Sequence, residues 1–124
     1  MTNYFVEQGY GHLAVISSVA GFRGLRGAPS YSASKGYQRI YVESLAQTAH
    51  HCKHKIKFST IIPGFVDTDL LKKDYPFTLQ REKAVKIIYR NLLRKKRIIY
   101  VDGRWCYVVF LMKRIPVWVW ERML

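Results

Sequence analysis

The sequence predicts an α/β fold in which crossover helices join about three strands of a parallel sheet. Short, nearly continuous apolar runs are typical of strands that are covered on both faces, and they stand at 12–17 (HLAVIS), 56–62 (IKFSTII) and 97–101 (RIIYV). Segments with helical spacing lie between these runs. Strand–helix–strand alternation favours right-handed crossovers, so we expect a parallel, doubly wound sheet.

The first crossover starts with a glycine-containing loop after strand 12–17. A helix is predicted from Tyr31 to about His51, with Ser30 as its N-cap. One face of this helix gathers its larger side chains, namely Tyr37, Ile40, Tyr41, Leu45 and Thr48.

The second crossover starts where Pro63-Gly64 stops strand 56–62. Residues 65–79 are predicted to form a loop and a short helix, interrupted by Pro76. A further helix is predicted over 81–96, where Val85, Ile88 and Leu92 repeat at helical spacing and basic residues toward its end suit the helix dipole. The third strand follows, and we divide the chain into a domain over 1–103 and an aromatic, basic tail over 104–124.

Composition limits the class of protein. The chain has 124 residues and a hydrophobic fraction of 49%, which excludes a disordered chain. The longest apolar run, residues 105–112, falls short of the roughly 20 residues of a membrane-spanning helix. The N-terminus shows no signal-peptide pattern, and Cys52 and Cys106 form no CxxC pair, so a cytoplasmic protein is expected.

The formal charge of +13 is uneven, because residues 81–124 carry twelve basic and three acidic side chains. Such a patch attracts nucleic acid or an anionic membrane, or is a solvated helix face. Zinc-finger, RNP and KH patterns are absent, so no nucleic-acid partner is predicted. Trp105, Trp118 and Trp120 with their basic neighbours suggest peripheral contact with the inner face of a membrane, or packing on the domain or on a partner subunit.

Ser18, Tyr31 and Lys35 form the first candidate site. Tyr31 and Lys35 are four residues apart at the start of a helix and share a face. Tyrosine has a reference pKa of about 10, and a cation one helical turn away favours its phenolate. Ser18 closes the preceding strand, at the edge where parallel sheets bind ligands, so its hydroxyl can hold a substrate oxygen beside the phenol.

The longer strings VISSVAGFRGLRGAPSYSASKG (15–36) and IIPGFVDTDL (61–70) closely resemble the classical short-chain dehydrogenase/reductase family. The likeness rests on the strand-end Ser-Ser, the gap from Ser18 to Tyr31, the YSASK block and the PGFVDT segment. It covers roughly residues 10–101. It implies the C-terminal half of a Rossmann-like domain and hydride transfer between NAD or NADP and the carbonyl or hydroxyl carbon of a small molecule.

The resemblance also implies roles for individual residues. Tyr31 would be the general acid/base, Lys35 would bind the nicotinamide ribose and favour the Tyr31 phenolate, and Ser18 would orient the substrate oxygen in preference to Ser17.

The segment after the second strand would complete the cofactor site. Pro63 and Gly64 would border the nicotinamide, and Val66, through its backbone, and Thr68 would meet the carboxamide. The loop 69–80 would cover the substrate, and its content suggests an apolar one. Family members usually pair through the helix that bears Tyr31 and the one before it, so a homo-oligomer is implied.

The family's TGxxxGxG turn and NNAG segment, with its asparagine, are not found in this sequence. The glycines at 9 and 11 and at 21, 24 and 27 are interpreted as turn glycines. Strand 12–17 would have an exposed apolar edge, so we expect a complementing N-terminal half. This chain alone should bind the cofactor weakly or not at all. The alternative is a non-catalytic remnant or interaction module that binds through its basic C-terminal third.

A ligand-rich cluster stands at the end of the first helix, with His50, His51, Cys52 and His54. No acidic residue or second ligand pair lies close by in sequence, and closed zinc sites need four ligands. We interpret the cluster as a cap that complements the helix dipole, and no metal is predicted.

Overall fold

A computed structural model describes residues 2–67 and 77–123 of the chain. Three strands lie in these two ranges: β1 (Tyr10–Ile16), β2 (Lys55–Ile62) and β3 (Ile98–Tyr100). The helices there are α1 (Thr2–Gln8), α2 (Pro29–His51), α3 (Arg81–Leu93), α4 (Arg104–Arg114) and α5 (Val117–Met123). A short 3₁₀ helix, Val19–Phe22, follows β1.

The strands form one parallel sheet in the order β1-β2-β3, which confirms the predicted α/β class. In the register, Leu13 lies beside Phe58 and Ile61 beside Ile99. β1 begins two residues earlier than predicted and β3 is shorter than predicted. Within the described part of the chain, β1 pairs only with β2, so its other edge is exposed, as predicted.

A helix covers each face of the sheet. On one face, Val42 and Ala49 of α2 pack with Ile56 and Phe58 of β2. On the other, Ala84 of α3 belongs to a buried cluster with Ile61, Leu79, Ile99 and Val101. This two-sided cover explains why the strands are nearly continuous apolar runs.

One prediction about α2 is wrong. The helix begins at Pro29, so Ser30 lies inside its first turn, and the N-cap residue Ala28 makes no side-chain capping bond. Proline is suited to the first helical position because its fixed φ and missing N–H cost nothing there. Of the larger side chains predicted to share one face of this helix, Tyr37, Ile40 and Tyr41 are exposed.

α1 was not predicted from the sequence. Gly9 follows the last residue of α1 with a φ of +83°, which agrees with its interpretation as a turn glycine. Its N–H donates to Phe5 O at 3.1 Å. Gly11 lies within β1, so its interpretation as a turn glycine is wrong. A Cβ on Gly11 would stand 2.5 Å from the Phe5 ring, which shows how closely α1 packs on the strand.

The segment 104–123 folds as α4 and α5, which Ile115 and Pro116 separate. Trp105 and Val109 of α4 are buried. α5 is tied to the loop after β1, where Trp120 Nε1 donates to Gly24 O at 2.8 Å. The tail is thus held on the domain by part of its surface. Within the described ranges, no helix has the length and apolar content needed to cross a membrane.

Candidate active site

The ends of β1 and β2 stay side by side beyond the sheet. Ser17 N donates to Ile61 O at 2.8 Å, and two residues later Val19 N donates to Pro63 O at 3.1 Å. These bonds hold the Ser17-Ser18 pair beside the turn that starts at Pro63. The carboxyl end of a parallel sheet is where such folds bind ligands.

The two serines make different bonds. The hydroxyl of Ser17, 1% exposed, donates to Lys35 O at 2.8 Å. The hydroxyl oxygen of Ser18 accepts from Ala20 N at 3.2 Å and caps the 3₁₀ helix. A hydroxyl that accepts one hydrogen bond keeps its own proton for another partner. Ser18 is therefore better suited than Ser17 to donate to a ligand.

Lys35 connects the end of β1 to Tyr31. Its Nζ donates to Ile16 O at 2.9 Å and lies 5.7 Å from the centre of the Tyr31 ring. An ammonium carries three N–H donors, so two remain after the bond to Ile16. Tyr31 is 48% exposed, which leaves its ring open to a ligand.

Gly21 allows the 3₁₀ helix to lie directly on α2. A Cβ at this position would stand 2.7 Å from the carbonyl carbon of Lys35 and 2.9 Å from Gly36 N. Backbone atoms approach here where no side chain fits. The interpretation of Gly21 as a turn glycine therefore misses its role, which is close packing against the backbone of Lys35.

The turn after β2 is packed against the tail. A Cβ on Gly64 would overlap the indole of Trp105, whose ring meets Phe65 edge-on at 5.4 Å and Phe77 at 6.5 Å. The Nε1 of Trp105 is buried and has no hydrogen-bond partner among residues 2–67 and 77–123. Sequence reasoning placed Trp105 only in a tail. The small residue at 64 signals a close approach, but nothing in the sequence identifies the side chain that makes it.

Val66 is held in an extended segment. It forms a parallel bridge with Leu79, flanked by the bonds from Leu79 N to Phe65 O at 3.0 Å and from Asp67 N to Leu79 O at 2.9 Å. Adjacent peptide groups in extended chain point to opposite sides, so the N–H and C=O of Val66 face away from Leu79.

The remaining parts of the predicted cofactor segment are only partly described. Thr68 lies outside the described residues, and so do Leu70, Leu71 and Tyr75 of the predicted substrate loop. Phe77 is described and half exposed, with the guanidinium of Arg104 4.6 Å from its ring centre.

The histidines at the end of α2 lie apart from these strand ends. His50 and His51 line two open hollows of about 460 and 570 Å³, the first shared with Arg97 and the second with His54. Cys52 is a free, exposed thiol. Across residues 2–67 and 77–123, no three His, Cys, Asp or Glu side chains are grouped as metal ligands.

Known proteins resemble the chain in sequence. The family model described as short chain dehydrogenase matches residues 1–78. An uncharacterized oxidoreductase of Myxococcus xanthus is 36% identical over 92 residues, which cover 72% of this chain and 36% of that protein. The bovine 3-oxoacyl-(acyl-carrier-protein) reductase is 36% identical over 111 residues, which cover 79% of this chain and 46% of that protein. The chain therefore spans less than half the length of these relatives.

Solved structures resemble it in fold. A short chain dehydrogenase from Burkholderia cenocepacia in complex with NADP matches with a TM-score of 0.76 at 18% identity, over 96% of this chain and 49% of that one. A short-chain dehydrogenase from Sphingobium yanoikuyae in complex with NADPH matches with a TM-score of 0.68 at 21% identity, over 93% of this chain and 50% of that one. At these identities the likeness shows the fold: the described sheet and helices correspond to about half of a Rossmann-like domain.

Proposed function

The chain belongs to the short-chain dehydrogenase/reductase family, and on that premise we propose that it carries the catalytic part of an NAD(P)-dependent oxidoreductase. The reaction is hydride transfer between the cofactor and a carbonyl or hydroxyl carbon. One observation carries the proposal: Lys35 Nζ bonds to the end of β1 while it lies 5.7 Å from the ring centre of Tyr31. This arrangement brings an ammonium and a phenol together at the ligand-binding edge.

The donors at this edge fit the ribose of a nicotinamide nucleotide. Lys35 retains two N–H donors and Tyr31 presents a hydroxyl, and together they match a vicinal diol. When bound, the nicotinamide supplies or accepts the hydride. Tyr31 gives a proton to the substrate oxygen during reduction and is left as the phenolate, or takes the proton as the phenolate during oxidation. In both directions the Lys35 ammonium stabilises the phenolate form.

Ser18 holds the substrate oxygen in this proposal. Its hydroxyl proton is not used by the bond from Ala20, whereas Ser17 donates to Lys35 O. Ser18 thus acts as an oriented donor, which stabilises charge on the oxygen as it develops.

The segment 63–68 binds the nicotinamide end. Pro63 and Gly64 border the ring, and the backbone of Val66 and the hydroxyl of Thr68 meet the carboxamide. The direction of the Val66 peptide groups, away from Leu79, supports this assignment. Exposed Phe77, at the end of the predicted substrate loop, favours an apolar substrate. Two free, exposed cysteines suit the reducing cytoplasm.

Self-association through α2 is part of the same proposal. Tyr37 and Tyr41 stack with ring centres 5.5 Å apart on its outer face, and Ile40 beside them is exposed. An apolar patch of this kind on a helix is typical of a subunit interface.

The test is an activity assay with a matched tyrosine control. The chain is titrated with NADPH and NADH while nicotinamide fluorescence is followed, alone and after mixing with a polypeptide that carries a glycine-rich N-terminal half. Turnover of apolar ketones is then measured on the mixture. Tyr31→Phe should lower turnover about 10²–10⁴-fold, the range of general acid–base catalysis. Tyr37→Phe, on the same helix and more exposed, should not.

One result would contradict the proposed role of Tyr31, and another would contradict the expectation that this chain alone binds the cofactor weakly or not at all. Unchanged turnover of the Tyr31→Phe mixture would remove the catalytic role of that residue. Micromolar binding of NADPH by the chain alone would show that no second polypeptide is needed to supply a pyrophosphate site.

A second function, binding without catalysis, is favoured by one observation. α4 and α5 leave large apolar side chains exposed although other parts of the same helices are packed on the domain. Under this alternative the mixture shows no turnover with either tyrosine variant, while binding through the C-terminal third persists.

A further inference from the structure

α4 is apolar on both of its sides. Trp105 and Val109 point into the domain and are buried. On the opposite side Tyr107 and Leu111 are 76% and 63% exposed, and Phe110 between them is half exposed. A helix that is apolar all round is normally covered all round, so this outer side calls for a partner.

α5 also leaves apolar side chains exposed, namely Val117, Trp118 and Met123. We call the six residues together the outer tail face: Tyr107, Phe110, Leu111, Val117, Trp118 and Met123. The structure separates the three tryptophans that the sequence groups together. Trp105 is buried and Trp120 bonds to Gly24, so Trp118 alone of the three belongs to this face.

Cations lie among these rings. The Arg114 guanidinium is 3.5 Å from the centre of the Phe110 ring, and that of Arg122 is 5.6 Å from the centre of the Trp118 ring. Neither guanidinium forms an ion pair with a carboxylate of the described residues. Glu121 is the only acidic residue in 104–124, against four basic ones.

We propose that the outer tail face docks on the surface of an anionic lipid bilayer. Aromatic and aliphatic side chains would enter the headgroup boundary while Arg114 and Arg122 meet lipid phosphates, the pattern of interfacial helices. A second copy of the same face is disfavoured, because it would bring together two tails that each carry four basic residues and one acidic residue. This inference goes beyond hydride transfer and does not depend on it.

Sedimentation with vesicles tests the proposal on the whole 124-residue chain. Vesicles of phosphatidylcholine alone should bind little, and vesicles that also contain phosphatidylglycerol should bind the chain. Added salt should weaken that binding, because the attraction of the cations to the lipid is screened.

The apolar part is tested by the double substitution Tyr107→Gln with Leu111→Gln. It should lower the apparent affinity for acidic vesicles about tenfold or more, since it removes side chains that would be buried in the boundary. The matched control is Tyr89→Gln with Leu93→Gln on α3, where a tyrosine and a leucine four residues apart are 64% and 66% exposed. That control should change affinity less than about twofold. All four side chains are exposed, and circular dichroism verifies that both variants fold.

The charged part is tested by Arg114→Gln, which should lower the affinity about fivefold, the usual contribution of one cation near the surface. The control is Arg90→Gln on α3, also exposed. The proposal is wrong if Arg90→Gln lowers the affinity for acidic vesicles as much as Arg114→Gln does and the apolar double variant leaves it unchanged. Binding would then come from the net positive charge of the whole chain rather than from this face.

Fluorescence locates the docked face. On acidic vesicles the emission should shift to shorter wavelength as Trp118 leaves water, and the shift should vanish in Trp118→Phe. A shift that persists in this variant would assign lipid contact to another surface. The proposal would be overturned if the parent chain did not bind vesicles but dimerised as its concentration rose, and if Tyr107→Gln with Leu111→Gln abolished that dimerisation. The outer tail face would then be an interface between two copies of the chain.

Discussion

Substitution of Gly21 by alanine gives a direct test of how the site is assembled. The added Cβ would stand 2.7 Å from the carbonyl carbon of Lys35 and 2.9 Å from both Lys35 O and Gly36 N, whereas ordinary contacts begin at 3.4 Å. All three obstacles are backbone atoms of α2, so no side-chain rotation relieves the overlap. The 3₁₀ helix must move away from α2 by roughly 0.7 Å or the helix must give way.

Overpacking of this kind costs about 1–3 kcal/mol. With a urea dependence of about 2 kcal/mol per molar, a loss of about 2 kcal/mol lowers the unfolding midpoint by about 1 M. The assay is urea unfolding followed by far-UV circular dichroism. The matched control is Gly24→Ala, three residues along the same loop, where a Cβ would meet no atom of the described residues within 4 Å and the backbone φ is not positive. This control should leave the midpoint unchanged or raise it slightly, because alanine restricts the unfolded chain.

Equal midpoints for the two alanine variants would refute the reasoning. They would mean that the 3₁₀ helix does not press on α2, and that the bond from Ser17 to Lys35 O does not depend on that contact.

Three further predictions concern other contacts. Ser17→Ala should lower the free energy of unfolding by about 1 kcal/mol, since a buried hydroxyl loses its bond to Lys35 O; an unchanged urea midpoint would contradict it. Gly64→Ala should displace the Trp105 indole, which moves the tryptophan emission to longer wavelength; a spectrum identical to that of the parent chain would show that the packing is loose. Burial, and secondarily a nearby lysine, lowers the pKa of His12 below its usual 6.5. The unfolded chain therefore binds more protons than the folded one below that value, and stability should fall as pH drops below about 6.5. Thermal unfolding at several pH values measures this loss, and His12→Asn should reduce it; an equal slope in both proteins would assign the loss to other groups.

The parallel sheet could be predicted from the sequence because both of its faces are covered by helices. The strands then contain few polar interruptions, and their limits were found to within about two residues. The packing face of α2 could not be predicted. Its large apolar side chains, Tyr37, Ile40 and Tyr41, face outward, while the smaller Val42 and Ala49 pack on the sheet. Periodicity detects an apolar stripe but does not distinguish a stripe that meets the core from one that faces a partner.

The sequence also predicts that Ser18, Tyr31 and Lys35 lie at one edge of the sheet, because strand ends and helix starts adjoin in a crossover. The described contacts join Lys35 to the end of β1 and to Tyr31. The bond from Lys35 Nζ to Ile16 O was not expected, since a carbonyl leaves no mark in the sequence. Contacts between distant segments were also missed, such as that between Trp105 and Gly64. They depend on how α4 returns to the domain, which no local pattern specifies.

The bonds between β1 and Lys35 run in both directions. Ser17 donates its hydroxyl to the main chain of Lys35, and the side chain of Lys35 donates to the main chain of Ile16. The lysine therefore fastens the strand end to the helix whether or not any reaction occurs. A descendant that had lost its chemistry would still benefit from keeping this lysine, so its presence alone is a poor mark of activity. Tyr31 is half exposed on the same helix, so the fold depends less on its side chain than on that of the lysine.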